Sequence, residues 1–410
     1  QIMIKTVLLD KPHINGLVLA DSSANWDIAK PSTDTSSVDT TTSESGSFKM
    51  AIKLFEIKNA YITYNDVPGN TFADVRNLNL TLKGDLTSDE TLIETALGID
   101  SLSADYGGIK YLNKANIDFV MNIDADLKNS KYTFKENKFR INALELGLNG
   151  WVENKTDDVN MDIDFSTKQT EFKALLSLVP GVFLSGFEGI KTDGKLELKA
   201  LAKGTFNSEK EQYPAFNVVL FVKDAMFKYP DVPKPVTNIQ IDLLVDNKTG
   251  NLDSTVVDLK KLHVEFAENP FDIKMKVTTP MSDPGITCGF IGKIDLDKMK
   301  EFIPLEETTL SGMISTNIEL EGHQSQIDQG KYEEFKALGS LIIENLNYSS
   351  KDVAQKVSII KTDMEFTPRY LLLKEFNSTV GKSDFQMNGK IENFIPYALS
   401  DSTIKGELTL

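Results

Sequence analysis

At 410 residues, 40% hydrophobic and 25% charged, the chain has the composition of a folded protein with room for two or three domains or one elongated array. Its 44 Lys and Arg against 60 Asp and Glu leave a net charge of −16. That balance excludes general electrostatic binding to nucleic acid or to an anionic bilayer, but not contact with the apolar part of a lipid.

Two short strands open the chain, Ile2-x-Ile4-x-Thr6-Val7-Leu8 and Gly16-Leu17-Val18-Leu19, on either side of Lys11-Pro12. Asn25-Trp26-Asp27-Ile28 follows as a turn with a single Trp. Residues 31–47 are almost entirely Ser, Thr, Asp, Glu and Gly, which cannot bury enough apolar surface to offset ordering; they read as a flexible linker. The chain opens on Gln1, and an upstream signal or anchor segment is compatible with that start.

From Phe48 onward the dominant period is two. Leu78, Leu80 and Leu82 alternate with polar residues, as do Ile117, Phe119, Met121 and Ile123. So do Val159, Met161, Ile163 and Phe165, and later Phe271, Ile273, Met275 and Val277. Alternation at period two gives each strand one apolar face and one solvated face. Turn residues at Val67–Asn70, Asn247–Gly250 and Asp283–Gly285 separate the strands at short intervals. The pattern predicts antiparallel sheet with one wet side. Two short helices break it. Phe172, Leu175, Leu176 and Val179 form one amphipathic stripe; Leu296, Met299, Phe302 and Ile303 form another, opened by Asp295 and stopped by Pro304.

The chain also repeats itself at about 120 residues. The strand Gly194–Gly204 answers to Gly312–Gly322, each bounded by glycine with apolar residues alternating between. Asp224-Ala225 answers to Asn345-Leu346 and to Asn59-Ala60. Gly292-Lys293-Ile294 answers to Gly389-Lys390-Ile391, with a weaker form at Gly150-Trp151-Val152. The reading that follows is residues 1–30 as N-terminal strands with the Asn-Trp turn, 31–47 as linker, and β-repeat units at 48–165, 166–295 and 296–410, the last incomplete. The expected fold is mainly β: an elongated, twisted antiparallel sheet curling into a groove or open barrel-like shape, with short amphipathic helices at unit boundaries.

The opening residues resemble the AsmA family of bacterial envelope proteins. Val7-Leu8-Leu9, Lys11-Pro12, Gly16–Leu19 and Asp21 leading to Asn25-Trp26-Asp27-Ile28 carry the resemblance, and the Gly-x-Ile closing strands are similar to the family's β-rich body. The resemblance implies a periplasmic protein of outer-membrane biogenesis, held to the inner membrane by an anchor not present in this chain. It also implies kinship with bridge-like lipid carriers, whose sheets curl into an apolar groove.

Catalytic and metal chemistry find little support. His13, His263 and His323 are scattered without ligand spacing, and no phosphate loop, nucleophile elbow or His-Glu-x-x-His motif occurs. Asp124-x-Asp126 passes near a calcium-loop pattern, but position six is not Gly and Glu136 falls one residue late, so these carboxylates read as solvated strand residues. The single Cys288 excludes an internal disulfide and reads as a small buried apolar residue. No enzyme, cofactor or metal is expected.

The alternating rows carry the functional expectation. Ile117, Phe119, Met121, Ile123, Leu196, Leu198, Ile314, Ile318 and Leu320 are the candidate lipid-facing residues, and Val182, Phe183 and Leu184, after Pro180-Gly181, are candidates for a groove lip. The expected partner is phospholipid or another envelope lipid, and not nucleic acid. The alternative is a structural module that docks envelope proteins through sheet edges.

Overall fold

The computed structural model describes residues 5–27, 53–85, 88–168, 171–178, 189–230, 234–299, 309–350, 353–394, 397 and 403–410. The Ser/Thr-rich stretch 31–47, the lip candidates Val182, Phe183 and Leu184, and Phe302 to Pro304 lie outside the described residues. Among those described, the fold is mainly β, with 21 strands that pair both parallel and antiparallel. The chain forms two compact units: residues 1–185 with 202–211, and residues 186–201 with 212–410.

Unit 1 begins with β1 (Thr6–Asp10) and β2 (His13–Val18), followed by β3 (Leu54–Asp66), β4 (Thr71–Lys83), β5 (Glu90–Tyr106) and β6 (Ile109–Asp126). Then come β7 (Lys131–Ile141), β8 (Leu144–Lys155), β9 (Asp158–Thr167) and the helix α1 (Phe172–Leu176). From β3 to β9 each strand pairs antiparallel with the next. The N-terminal strands depart from the antiparallel expectation, because β1 and β2 both pair parallel to β3. Parallel pairing needs a long connection, and residues 19–53 supply it.

The pleat sorts side chains as the alternation predicts. Ile57, Leu80, Leu97, Phe119, Phe139 and Leu146 are cross-strand partners in one continuous row. Ala60, Leu78, Ile99, Ile117, Ile141 and Leu144 form the next. Phe119 and Phe139 meet edge to face, with ring centroids 5.9 Å apart. The opposite face is ionic, with Lys83 on Glu94 at 3.1 Å, Lys135 on Asp124 at 2.7 Å and Arg140 on Asp118. Such exposed pairs add little stability, but opposite charges across strands favour this register and this face outward. The helix α1 lies against β8, where Phe172, Ala174 and Leu144 are buried. Its Ser177 cap ties to the β7–β8 turn through Asn142 Nδ2 donating to the Ser177 carbonyl at 2.7 Å.

The strand β10 (Lys191–Phe206) contributes residues to both units, with Lys191–Leu201 in unit 2 and Ala202–Phe206 in unit 1. Unit 2 continues with β11 (Ala215–Lys228), β12 (Val236–Asn247), β13 (Val256–Phe266), β14 (Asn269–Thr278) and β15 (Gly285–Asp295). A one-turn helix α2 (Leu296–Met299), β16 (Thr309–His323), a short α3 (Gln324–Asp328) and β17 (Lys336–Ser350) follow. The last strands are β18 (Val353–Phe366), β19 (Tyr370–Val380), β20 (Ser383–Glu392) and β21 (Lys405–Thr409). From β11 onward this is an antiparallel meander. As expected, Asp295 opens α2, its Oδ1 accepting from the Asp297 N–H at 3.1 Å.

Alternation breaks at bulges, and the breaks are regular. Ile57 and Ala60, Val222 and Ala225, and Leu259 and Leu262 stand three apart on their strands, with a register shift between each pair. The extra residue lets two apolar side chains at an odd spacing share one face. At Asn59 and Asp224 the bulge is left-handed, with φ of 51° and 50°, a conformation that Asn and Asp tolerate better than other side chains.

Candidate functional site

The candidate site is the apolar face of each unit, taken separately. In unit 1, Ile117, Phe119, Met121 and Ile123 all project to the same side of β6, in register with Ile99, Leu97, Thr95 and Ile93 of β5. Ile117 and Met121 are buried, while Phe119 and Ile123 are half-buried. The structure therefore brings this predicted set together.

In unit 2 the same geometry extends further. Val222, Ile241, Leu262, Ile273, Phe290, Ile318, Gly339, Phe366, Leu371, Ile391 and Gly406 succeed one another as register partners across eleven strands. A second row runs Leu220, Leu243, Leu259, Met275, Cys288, Leu320 and Ala337. A third joins Ile294, Ile314, Ile343, Thr362 and Phe376. Ile314, Ile318 and Leu320 thus lie on one face of β16 in three separate rows, with the Thr316 row between the first two, and all three are half-buried. Leu196 (2% exposed) and half-buried Leu198 sit on a different strand, β10. Cys288 is half-buried within the second row rather than buried.

No Asp, Glu, Lys or Arg occupies these rows. The charged residues stand on the other face, where Lys361 pairs with Glu375 at 2.6 Å and Lys374 with Glu365 at 2.6 Å. Two hydroxyls interrupt the apolar rows, Thr95 in unit 1 and Thr362 in unit 2, and neither Oγ1 has a hydrogen-bond partner. Glycine lowers the surface in one place. At Gly339 an added Cβ would come 1.8 Å from Phe366, so the absent side chain makes room for the ring to lie over the backbone.

Titratable groups do not converge on these faces. His263 lies on the charged side, its Nδ1 2.8 Å from Asp272 and its Nε2 3.6 Å from Glu265. His13 stacks on Tyr61 at 4.7 Å. His323 Nδ1 stands 3.4 Å from Asp283, at a turn. Asp126 caps its own turn by accepting from the Asn129 side-chain amide at 2.7 Å and from the Asn129 N–H at 2.9 Å, and those hydrogen bonds, the side-chain one first, hold its carboxyl below the usual range. Among the described residues no group of three or more His, Cys, Asp or Glu is placed to hold a metal ion.

Sequence reasoning found individual alternating strands but missed most members of the rows, among them Leu97, Phe139, Phe290, Phe366 and Leu371. Their own strands alternate too, and each could have been read from Leu97 with Ile99 or from Leu371 with Leu373. Row membership could not, because it depends on pairing register. No family model, no curated protein and no solved structure matches the chain.

Proposed function

We propose that this protein binds phospholipid along the apolar face of its sheet and has no catalytic role. It acts in the bacterial periplasm in support of the outer membrane, as the resemblance to the AsmA family implies. The observation that carries the reading is the eleven-residue row of unit 2, which is free of charge and mostly half-buried. A packed protein core would bury such a row; a solvated surface would not contain it.

The dimensions suit the task. Ten interstrand steps of about 4.8 Å give the row a length of roughly 48 Å. One leaflet of a bilayer's hydrocarbon is about 15 Å deep, half of the ~30 Å core. Acyl chains have space to lie along the row, and each methylene removed from water contributes about 0.8 kcal/mol. Recognition of that kind requires no motif, only a continuous apolar path. The head group stays in water, where no inward charge is needed to meet it.

The test is extraction of the purified protein and mass spectrometry of what comes with it. Phospholipid is expected in the parent and depleted by Ile318→Asp, which places a carboxylate in the middle of the row. A parent that carries no lipid and takes up none from vesicles would sink the reading.

A further inference from the structure

At one end of unit 1 three turns lie side by side. β2 runs out into the turn Leu19–Ser23, β3 turns into β4 at Val67–Asn70, and β5 turns into β6 at Gly107–Gly108. Backbone hydrogen bonds join them: the Val67 N–H donates to the Val18 carbonyl at 3.1 Å, and the Gly107 N–H to the Asn70 carbonyl at 3.0 Å. Around these turns six large side chains stand in solvent: Leu19 (47% exposed), Trp26 (52%), Val67 (50%), Phe72 (39%), Tyr106 (62%) and Tyr111 (54%). Single exposed apolar residues are ordinary, but six on adjoining turns of one rim are not.

The rim is continuous with the apolar face. Trp26 stacks on Tyr64, their centroids 6.3 Å apart, above Gly16, where an added Cβ would come 3.3 Å from the indole. Tyr64 in turn pairs with Ala73, and Ala73 with Ala104, on the side that carries the inward rows.

From this we propose that the rim is a membrane-docking edge that seats in the interfacial layer of a zwitterionic bilayer. Trp and Tyr join an apolar body to a polar tip, which suits them to the boundary between head groups and acyl chains. The charge argues for a zwitterionic surface. The three turns and their flanks carry Asp21, Asp27, Asp66 and Asp105 against Lys110, so an anionic surface would repel them. Between the two hairpin turns lies a cleft of about 370 Å³ lined in part by Asp66, Asp105 and Lys110. It presents both signs, carboxylates for a head-group ammonium and an ammonium for its phosphate. Docking of this kind does not require lipid to enter the rows, so it goes beyond the proposed lipid binding and can stand without it.

The chain has two Trp residues, so Trp151→Phe leaves Trp26 as a single reporter. Titrated with phosphatidylcholine vesicles, Trp26 emission should move to the blue and be quenched by lipids brominated high on the acyl chain. Replacing Phe72, Tyr106 and Tyr111 together with Ser should weaken partition at least tenfold, equivalent to about 1.4 kcal/mol. The single change Tyr106→Ser, at an exposed turn, should weaken it measurably with the fold untouched. Adding phosphatidylserine to the vesicles should not tighten binding. Unchanged Trp26 emission at saturating vesicle, undiminished binding by both rim variants, or binding only to anionic vesicles at low salt would each overturn the proposal. Ile318→Asp, which depletes lipid in the rows, should leave vesicle docking intact, so the two readings fail separately.

Discussion

Gly194 and Gly312 hold backbone that other residues resist. Their φ values are 112° and 119°. An added Cβ on Gly194 would lie 2.3 Å from Ala225 Cα, and on Gly312 2.6 Å from Leu346 Cα. Opposite each glycine sits a left-handed bulge residue, Asp224 at φ 50° or Asn345 at φ 53°. The recurring sequence pairs are thus two halves of one device, a glycine on one strand that accepts a bulge on its neighbour. The bulge adds local twist and turns the next residue inward, and Ala225 ends with no exposure at all. Gly194→Ala meets both penalties, strain and backbone overlap, and should cost about 3 kcal/mol or more in urea unfolding. Gly289 is the control. An added Cβ there meets nothing within 4 Å, so Gly289→Ala should be neutral or stabilising by up to about 1 kcal/mol. Equal losses from the two would contradict this account.

At the scale of elements, carboxylates brace one turn against the next. In unit 2 Asp253 accepts from the Ser282 hydroxyl at 2.7 Å and from its N–H at 2.9 Å. Asp283 accepts from the Ser325 N–H at 2.9 Å and from its hydroxyl at 2.7 Å. The Ser282 hydroxyl is the main reason Asp253 is held below the usual carboxylate range, whereas for Asp283 the Ser325 backbone N–H comes first. A depressed folded value means the stability is present above the ordinary aspartate pKa, about 3.9, and is lost as pH falls through the folded value. Ser282→Ala should therefore lower Tm at about pH 6 and converge on the parent below about pH 3. Both variants keep a backbone donor, but Ser325→Ala should do the same by less, since at Asp283 that backbone N–H is the larger of the two causes. A Tm gap that stays constant across this range would remove the bracing argument. These braces were not legible in the sequence, which shows Asp253 and Ser282 only as loop residues 29 positions apart. The strands were legible, because period two survives in any window of five or six residues such as Ile117–Ile123. The bulges were not, since Leu259 and Leu262 break that period while keeping one face. Nor was the direction of β1 and β2, because alternation is the same whichever way a strand runs.

At the scale of the molecule, the charge of −16 and the apolar rows are kept apart by the pleat alone. Among the described residues, one side of each unit is paired in ionic ladders and the apolar rows on the other carry no charged side chain. That division has a consequence for lipid content, since Met121 belongs to the rows of unit 1 and Ile318 to those of unit 2. A buried, unpaired carboxylate costs several kcal/mol and is avoided by drawing in water or a proton. Either response interrupts an apolar path at that point, while rows in the other unit keep their surface. If phospholipid lies along both faces, Met121→Asp and Ile318→Asp should each remove part of the co-purified lipid, and the double substitution should remove more than either. Val120→Asp is the matched control, because Val120 lies one residue from Met121 but points to the charged face and is 53% exposed; it should leave lipid content as it was. Quantitative phosphate analysis of equal amounts of folded protein reads all four. If Val120→Asp depleted lipid as much as Met121→Asp, the loss would come from general charge or misfolding, and the apolar face would lose its claim to the ligand.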